Sequence, residues 1–426
     1  MAQRATRAGE GPAPGGRDPG QARRGRWLRW LEWGLAPLVA LLLAWGSLDA
    51  GLISDDGAVL GYVHREGLAS DWHTTQYDLR TVRFWRPLVT TSLAVQEAWT
   101  GVRPAPLRLF NLACHAAAAL LLGALARRLG AGRAGAAAVA VLAAAFPAQG
   151  GTVTWVVGRV DSLPAPLALA ACLFALDRRR LAAAVACLLA CASKEIAFVT
   201  PLWAFLLAWG RGDRVPAAAR AALPVALAAG VAFGWRAYAI GDPVGGYTRE
   251  GGLEADLPLL VRAWAVALVW PLGGALAALG LGRLAGTLRP RPWLAAVAAS
   301  AAAALPLYHV LAPGTVDPVH QRTLLFCDLP LMLAVGAALG RPRRPPVSRR
   351  FPFWAAWLVV AALGTQRLVE ACGDVDEWTA AGRLAESHVA RTRATLEGLP
   401  AADEPVLDST FPATQGGAYV LSLIHI

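Results

Sequence analysis

The chain has 426 residues, of which 56% are hydrophobic and 16% charged, with a formal net charge of +11. Together with a positive mean hydropathy, this excludes an ordinary soluble globular protein and indicates a polytopic membrane protein. Ala, Leu and Val dominate and β-branched runs are short, which favours a helix bundle over an outer-membrane barrel; the positive balance comes from arginine clusters between apolar runs, not from a nucleic-acid surface.

Residues Met1 to Arg26 are rich in Gly, Pro and Arg and read as a disordered cytoplasmic tail. The apolar run Trp33 to Leu52 is too long for the core of a signal peptide and lacks a small-x-small cleavage site, so it reads as an uncleaved anchor with its basic flank in the cytoplasm. Ser54-Asp55-Asp56-Gly57 stands at its far end. Two adjacent carboxylates at the mouth of a membrane are costly unless they have a function. A polar loop with scattered aromatics is expected from Ile53 to Arg83. Phe84-Trp85-Arg86-Pro87-Leu88 then opens a moderately apolar segment ending near Trp99.

The next strong span, Leu107 to Ala126, ends on Arg127, Arg128 and Arg133. If these arginines are cytoplasmic, the Arg86 to Trp99 segment is a re-entrant or interfacial helix. Further spans are read at Ala134–Phe146, Leu163–Leu176, Leu181–Ala192, Ile196–Trp209, Ala221–Tyr238, Leu257–Leu281, Trp293–Leu311, Leu324–Leu339 and Phe353–Leu368, eleven in all. With that alternation the clusters Arg127–Arg133, Asp177–Arg180, Arg211–Arg220, Arg283–Arg291 and Arg341–Arg350 all fall on the inner side. The spans around Phe146 to Trp209 are short. About twelve residues reach roughly 18 Å against a hydrocarbon core of roughly 30 Å. Polar groups at their outer ends must therefore line a protein cavity and not face lipid.

On the outer side gather Asp55 and Asp56, Arg86, Asn111 and His115 (one helical turn apart, hence on one face), Arg159 and Asp161, Lys194 and Glu195, then Arg236, Tyr247, His320 and Arg322. Lys194 is the single lysine in an Arg-rich chain. Each has a bland reading: a helix-end cap for the acidic pair, interhelical hydrogen bonds for Asn111 and His115, a local turn or ion pair for Arg159 and Asp161, a capped polar turn for Lys194-Glu195, and snorkelling for Arg322. Their segregation to one side favours the functional reading. The six cysteines show no zinc or disulfide spacing, and no His/Asp set suggests a metal.

The order of these motifs resembles the GT-C superfamily of polyprenyl-phosphate-sugar glycosyltransferases. Within it, the chain is similar to the protein O-mannosyltransferase branch, especially bacterial relatives of the transmembrane O-mannosyltransferases with tetratricopeptide repeats. The resemblance rests on Asp55-Asp56, Phe84-Trp85-Arg86-Pro87-Leu88, Phe110-Asn111-Leu112-x-x-His115, Phe146-Pro147 with Trp155-x-x-Gly158-Arg159-x-Asp161, Ser193-Lys194-Glu195 with Pro201, and Gln321-Arg322-Thr323-Leu324. Gln321 and Thr323 depart from the acid and Tyr usual there, and no repeat array follows.

The resemblance implies an all-α bundle over residues 27–368 in a bacterial plasma membrane, with its active site outside the cytoplasm. It implies inverting, metal-independent transfer of a mannose-like sugar from a polyprenyl phosphate to a hydroxyl on a protein or glycan, without a cofactor. Asp56, or else Asp55, would be the general base. Arg322, Arg159, Lys194 and Arg86 would hold the donor phosphate, and Asn111, His115, Asp161 and Glu195 would support them. A transporter or flippase of a lipid-linked anion would use the same cationic cavity without a base; a non-enzymatic scaffold would need neither.

In the tail, residues 369–426, a polar helix is expected over Asp374–Leu396, with Trp378, Leu384 and Val389 as its apolar spots. Strands are expected at Pro405–Leu407 and Ala418–Leu423, as in an outer domain cut short.

Overall fold

A computed structural model describes residues 33–66, 70–78, 82–242, 246–247, 264–265, 268–307, 318–340, 348, 350–397, 414–415 and 418–419. The amino-terminal tail expected to be disordered and the strand expected at Pro405–Leu407 lie outside them.

The described chain is all-α apart from two-residue bridges. In order come α1 (Trp33–Ser47) and α6 (Arg159–Leu176), with α2 (Asp56–Glu66), α3 (Pro87–Thr100), α4 (Pro104–Arg128) and α5 (Arg133–Ala144) between them. Then follow α7 (Arg180–Cys191), α8 (Thr200–Arg211), α9 (Val215–Ile240), α10 (Val269–Ala285), α11 (Pro290–Ala304), α12 (Leu325–Leu339) and α13 (Arg350–Glu397). Alanine-rich stretches have the highest intrinsic helix propensity. Proline near the first turn opens α3, α4, α8, α9 and α11, where its missing N–H costs nothing. Gly212 and Gly286, at φ 118° and 71°, close α8 and α10 in the left-handed conformation that a Cβ would disfavour.

Five helices among the described residues are long and apolar enough to cross a membrane: Pro104–Arg128, Arg159–Leu176, Val215–Ile240, Gln321–Leu339 and the first 42 residues of α13. The other predicted runs also fold as helices, shorter than a full span. The parts of the predicted spans at residues 257–263 and 308–311 lie outside the described residues. Two sequence expectations change. The stretch read as a polar loop contains α2, whose Val59, Leu60 and Val63 are buried. The last span and the polar tail helix are one continuous 48-residue helix, because nothing between Leu368 and Asp374 breaks the ladder.

Helix α12 is the core: every residue from Leu325 to Leu339 is buried, against α5, α10 and α11. Small residues let backbones approach, as membrane bundles require. A Cβ on Gly282 of α10 would lie 2.5 Å from the Ala338 carbonyl oxygen.

Charges divide between the two ends of the bundle. At one end Arg128 pairs with Asp177 at 2.8 Å, Arg178 with Asp213 at 2.7 Å and Arg211 with Asp213 at 2.8 Å, and Arg289 donates to the Leu129 carbonyl at 3.1 Å. Asp55, Arg86, Asp161, Lys194, Arg236 and Arg322 lie at the helix ends opposite to these.

Candidate functional site

The acidic pair splits into two different environments. Ser54 takes a left-handed backbone (φ 54°), a conformation uncommon for residues other than glycine, and this turn starts α2 with Asp56 facing inward. The Asp56 side chain is fully buried. Its Oδ1 accepts the Val157 amide at 2.9 Å; Oδ2 accepts those of Ile53 at 3.1 Å and Val156 at 3.4 Å. Asp56 thus staples the first loop to the Trp155–Gly158 loop. Burial pushes its carboxyl up to about 7, against the pull of the Val157 amide; the Asp55 charge adds to the rise. Asp55, one residue earlier, is only partly buried. It lies within electrostatic reach of Tyr77, as do Asp71 and Arg86; burial first, then the two carboxylates, pushes the Tyr77 phenol up. Tyr77 itself is left-handed at φ 56°. Its loop is tied down by Asp71, which accepts the Tyr62 hydroxyl at 2.9 Å and the Tyr77 amide at 3.1 Å, and also the Thr90 hydroxyl.

Beside Tyr77 lies a cluster of ionised groups drawn from five segments. Arg86, just before α3, donates to Glu195 Oε2 through Nε at 3.1 Å and its terminal nitrogen at 2.9 Å, and its guanidinium lies 4.0 Å from the centre of the Phe84 ring. Lys194 pairs with Asp161. Arg322 reaches the other Asp161 oxygen at 3.3 Å and stacks 4.3 Å above Trp155. Arg236 of α9 is within electrostatic reach of Glu195 and Arg86. Burial pushes the Lys194 ammonium down, with Asp161 opposing. Burial also acts to raise the Glu195 carboxyl, but the Arg86 guanidinium outweighs it and holds Glu195 below the usual range. Arg86, Lys194, Arg322 and Arg236 thus gather around Asp161 and Glu195, and Asp242 also acts on Arg236. Arg86, Glu195 and Arg322 remain partly open, at 13%, 23% and 12% side-chain exposure.

The Lys194-Glu195 pair reaches this place because α7 stops at Cys191 and a 3-10 turn, Glu195–Val199, intervenes before α8. The Trp155 loop is shaped by glycine. A Cβ on Gly158 would collide with the Gly151 carbonyl oxygen, and one on Gly150 would lie 2.8 Å from the Asp374 carbonyl oxygen. Asp374 of α13 accepts the Gly150 amide at 2.6 Å, and Trp378, one turn on, stacks on Trp155 with ring centres 5.7 Å apart.

Three of the residues expected in the site serve the scaffold. Arg159 is fully buried and spends its donors on neutral acceptors: Asn111 Oδ1 at 3.0 Å, Ser92 Oγ at 3.2 Å, Gln96 Oε1 at 2.6 Å and the Leu107 carbonyl at 3.1 Å. Asn111 in turn donates to the Trp155 and Val156 carbonyls at 3.1 and 3.0 Å. His115 Nε2 lies 3.0 Å from the Ala144 carbonyl oxygen, deeper in the bundle. So Asp55, Arg86, Asp161, Lys194, Glu195 and Arg322 come together, while Asp56, Asn111, Arg159 and His115 stand behind them. His320 and Tyr247 have no described side chains.

Sequence reasoning passed over Arg108, Asp71, Asp374 and Trp378. Arg108 was accessible: it lies three residues before Asn111 on the same helix face, at the head of a span. It donates to the Thr154 carbonyl at 2.6 Å and the Gly51 carbonyl at 2.6 Å, and to Ala50, binding the segment after α1 to the Trp155 loop. Asp374 carries no local signal, since its partner is more than two hundred residues away.

Among the described residues, the Tyr77 hydroxyl, the Trp155 indole N–H and Glu195 Oε1 are buried without a hydrogen-bond partner, which is rare for buried polar atoms. No group of three His, Cys, Asp or Glu side chains among the described residues could hold a metal ion. Chemically, the cluster is suited to an oxyanion. Arginine can grip phosphate through paired hydrogen bonds, and lysine adds a point charge. The chain matches no protein-family model, no curated protein and no solved structure.

Proposed function

We propose that the protein is a membrane glycosyltransferase that moves a sugar, mannose-like by the motif resemblance, from a polyprenyl phosphate to a hydroxyl acceptor. The bundle would be of GT-C type with about eleven spans and its site on the extracytoplasmic face. The observation that carries this reading is the gathering of Arg86, Lys194 and Arg322 around Asp161 and Glu195, with the half-buried Asp55 and Arg86 both within electrostatic reach of Tyr77. In this reading Asp55, not Asp56, is the general base, because Asp56 is fully buried and both of its oxygens already accept backbone amides. Asp55 takes the proton of the acceptor hydroxyl. The acceptor oxygen bonds to the anomeric carbon as the bond from that carbon to the phosphate oxygen breaks. The electron pair leaves with the polyprenyl phosphate, whose charge Arg322, Lys194 and Arg86 stabilise.

The test is transfer of label from radiolabelled polyprenyl-phosphate mannose in membranes carrying the protein. Label should pass to a protein or glycan fraction, and Arg322→Ala and Lys194→Ala should abolish it. Movement of the lipid-linked anion across the bilayer, unchanged in Asp55→Asn and without any transfer, would replace this reading by a transporter.

A further inference from the structure

At the end of the bundle opposite the site, α6, α7 and α9 frame a shallow cleft lined by Ala175, Arg178, Arg180, Arg220 and Ala221. The local carboxylates are already taken. Asp177 is held by Arg128 at 2.8 Å, and Asp213 by both Arg178 at 2.7 Å and Arg211 at 2.8 Å. Arg178 is further fixed by donating to the Ala217 carbonyl at 3.1 Å. Arg180 and Arg220 are exposed and, among the described residues, make no hydrogen bond or ion pair. Two cations without counterions, beside a third held rigidly, form an anion site.

The surface beyond them says which anion. From Arg180 the exposed residues Leu181 and Val185 run along α7, 80% and 46% exposed; from Arg220, Leu223 and Leu227 run along α9, 54% and 63% exposed. Both pairs are spaced four residues apart and so lie along one helix face each. A free phosphate would use the arginines and leave these stripes uncovered. A phospholipid uses both, its phosphate on the arginines and its acyl chains on the leucines and valine. Basic pockets between membrane helices are suited to acidic headgroups.

We infer that the cleft between α7 and α9 binds an anionic glycerophospholipid through Arg178, Arg180 and Arg220. The inference rests on these helices lying in a bilayer, and not on the transfer chemistry. The experiment reconstitutes the full chain in nanodiscs of equimolar phosphatidylglycerol and phosphatidylcholine, extracts it gently and counts retained lipids by native mass spectrometry. The wild type should retain phosphatidylglycerol preferentially. The preference should fall about thirtyfold in the Arg180→Gln/Arg220→Gln double variant, as for two arginines lost from an anionic surface. Arg103→Gln, at the opposite end, should leave it unchanged. Equal preference in the wild type and the double variant overturns the inference, as does release of the lipid by millimolar inorganic phosphate, which would identify a free-phosphate site. If the double variant does not fold, the wild type decides: rising salt should release phosphatidylglycerol and not phosphatidylcholine, and salt-independent retention overturns the inference.

Discussion

Replacing Asp55 and Asp56 one at a time should produce opposite phenotypes, although the residues are adjacent. Asp56→Ala removes the acceptor of three buried amides. Those of Val157 at 2.9 Å and Ile53 at 3.1 Å are full hydrogen bonds, while that of Val156 at 3.4 Å is marginal. Leaving a buried donor unsatisfied costs about 1–3 kcal/mol, so two such losses amount to about 4 kcal/mol. At roughly 2 °C per kcal/mol for a chain of this size, the midpoint of thermal unfolding should drop by roughly 8 °C. Asp55→Asn keeps the shape of a half-buried side chain and should cost less than Asp56→Ala, within about 1 kcal/mol of the wild type. It should lower sugar transfer by about 10²–10⁴, the usual contribution of a general base. Thermal unfolding in detergent and transfer from the labelled lipid-linked sugar would be measured on both variants. Full transfer in Asp55→Asn, or an unchanged midpoint in Asp56→Ala, would refute the division of labour.

Three further outcomes follow from the geometry. Arg367 of α13 and Asp328 of α12 form a buried bidentate pair at 2.7 and 2.8 Å, so Arg367→Leu alone should cost about 3–5 kcal/mol, and the double Asp328→Leu/Arg367→Leu variant should recover most of it, as a double-mutant cycle in unfolding would show. Gly150→Ala would drive a methyl into Trp378 and to 2.8 Å from the Asp374 carbonyl oxygen, costing about 1–3 kcal/mol by overpacking and weakening the Trp155–Trp378 stack, measurable by near-ultraviolet circular dichroism. The raised carboxyl of Asp56, at about 7 against 3.8, means that the folded state holds a proton which the unfolded state releases. Stability should therefore fall as pH rises from about 5 to about 8, by ~2–3 kcal/mol, and Asp56→Asn, which does not ionise, should flatten that slope in pH-dependent melting.

The helical architecture was legible in the sequence because each apolar run had to form helix to satisfy its own backbone, and the arginine clusters marked which ends lie together. The helix α2 was missed because its buried residues Val59, Leu60 and Val63 are scattered among Gly, His and Arg, too few for a periodic signal. The continuity of α13 is not legible in the sequence, because its composition changes from apolar to polar while a helix ends at caps and breakers, not at a change of solvent.

The residue types of the site were likewise present in the sequence: carboxylates, arginines and one lysine, held near one set of helix ends. Composition and order decided that Asp55, Arg86, Asp161, Lys194, Glu195 and Arg322 belong to one end of the bundle. Only the tertiary structure decided their surroundings. Asp55 and Asp56 are chemically identical and one residue apart, yet beyond the left-handed turn at Ser54 one stays half-buried and the other is buried under three amides. Arg159 and Arg322 are equally cationic, yet one is spent on Asn111, Gln96 and Leu107 and the other meets Asp161. Whether a charged side chain is a tool or a brace depends on the partners that distant segments bring to it, and no local pattern encodes those partners.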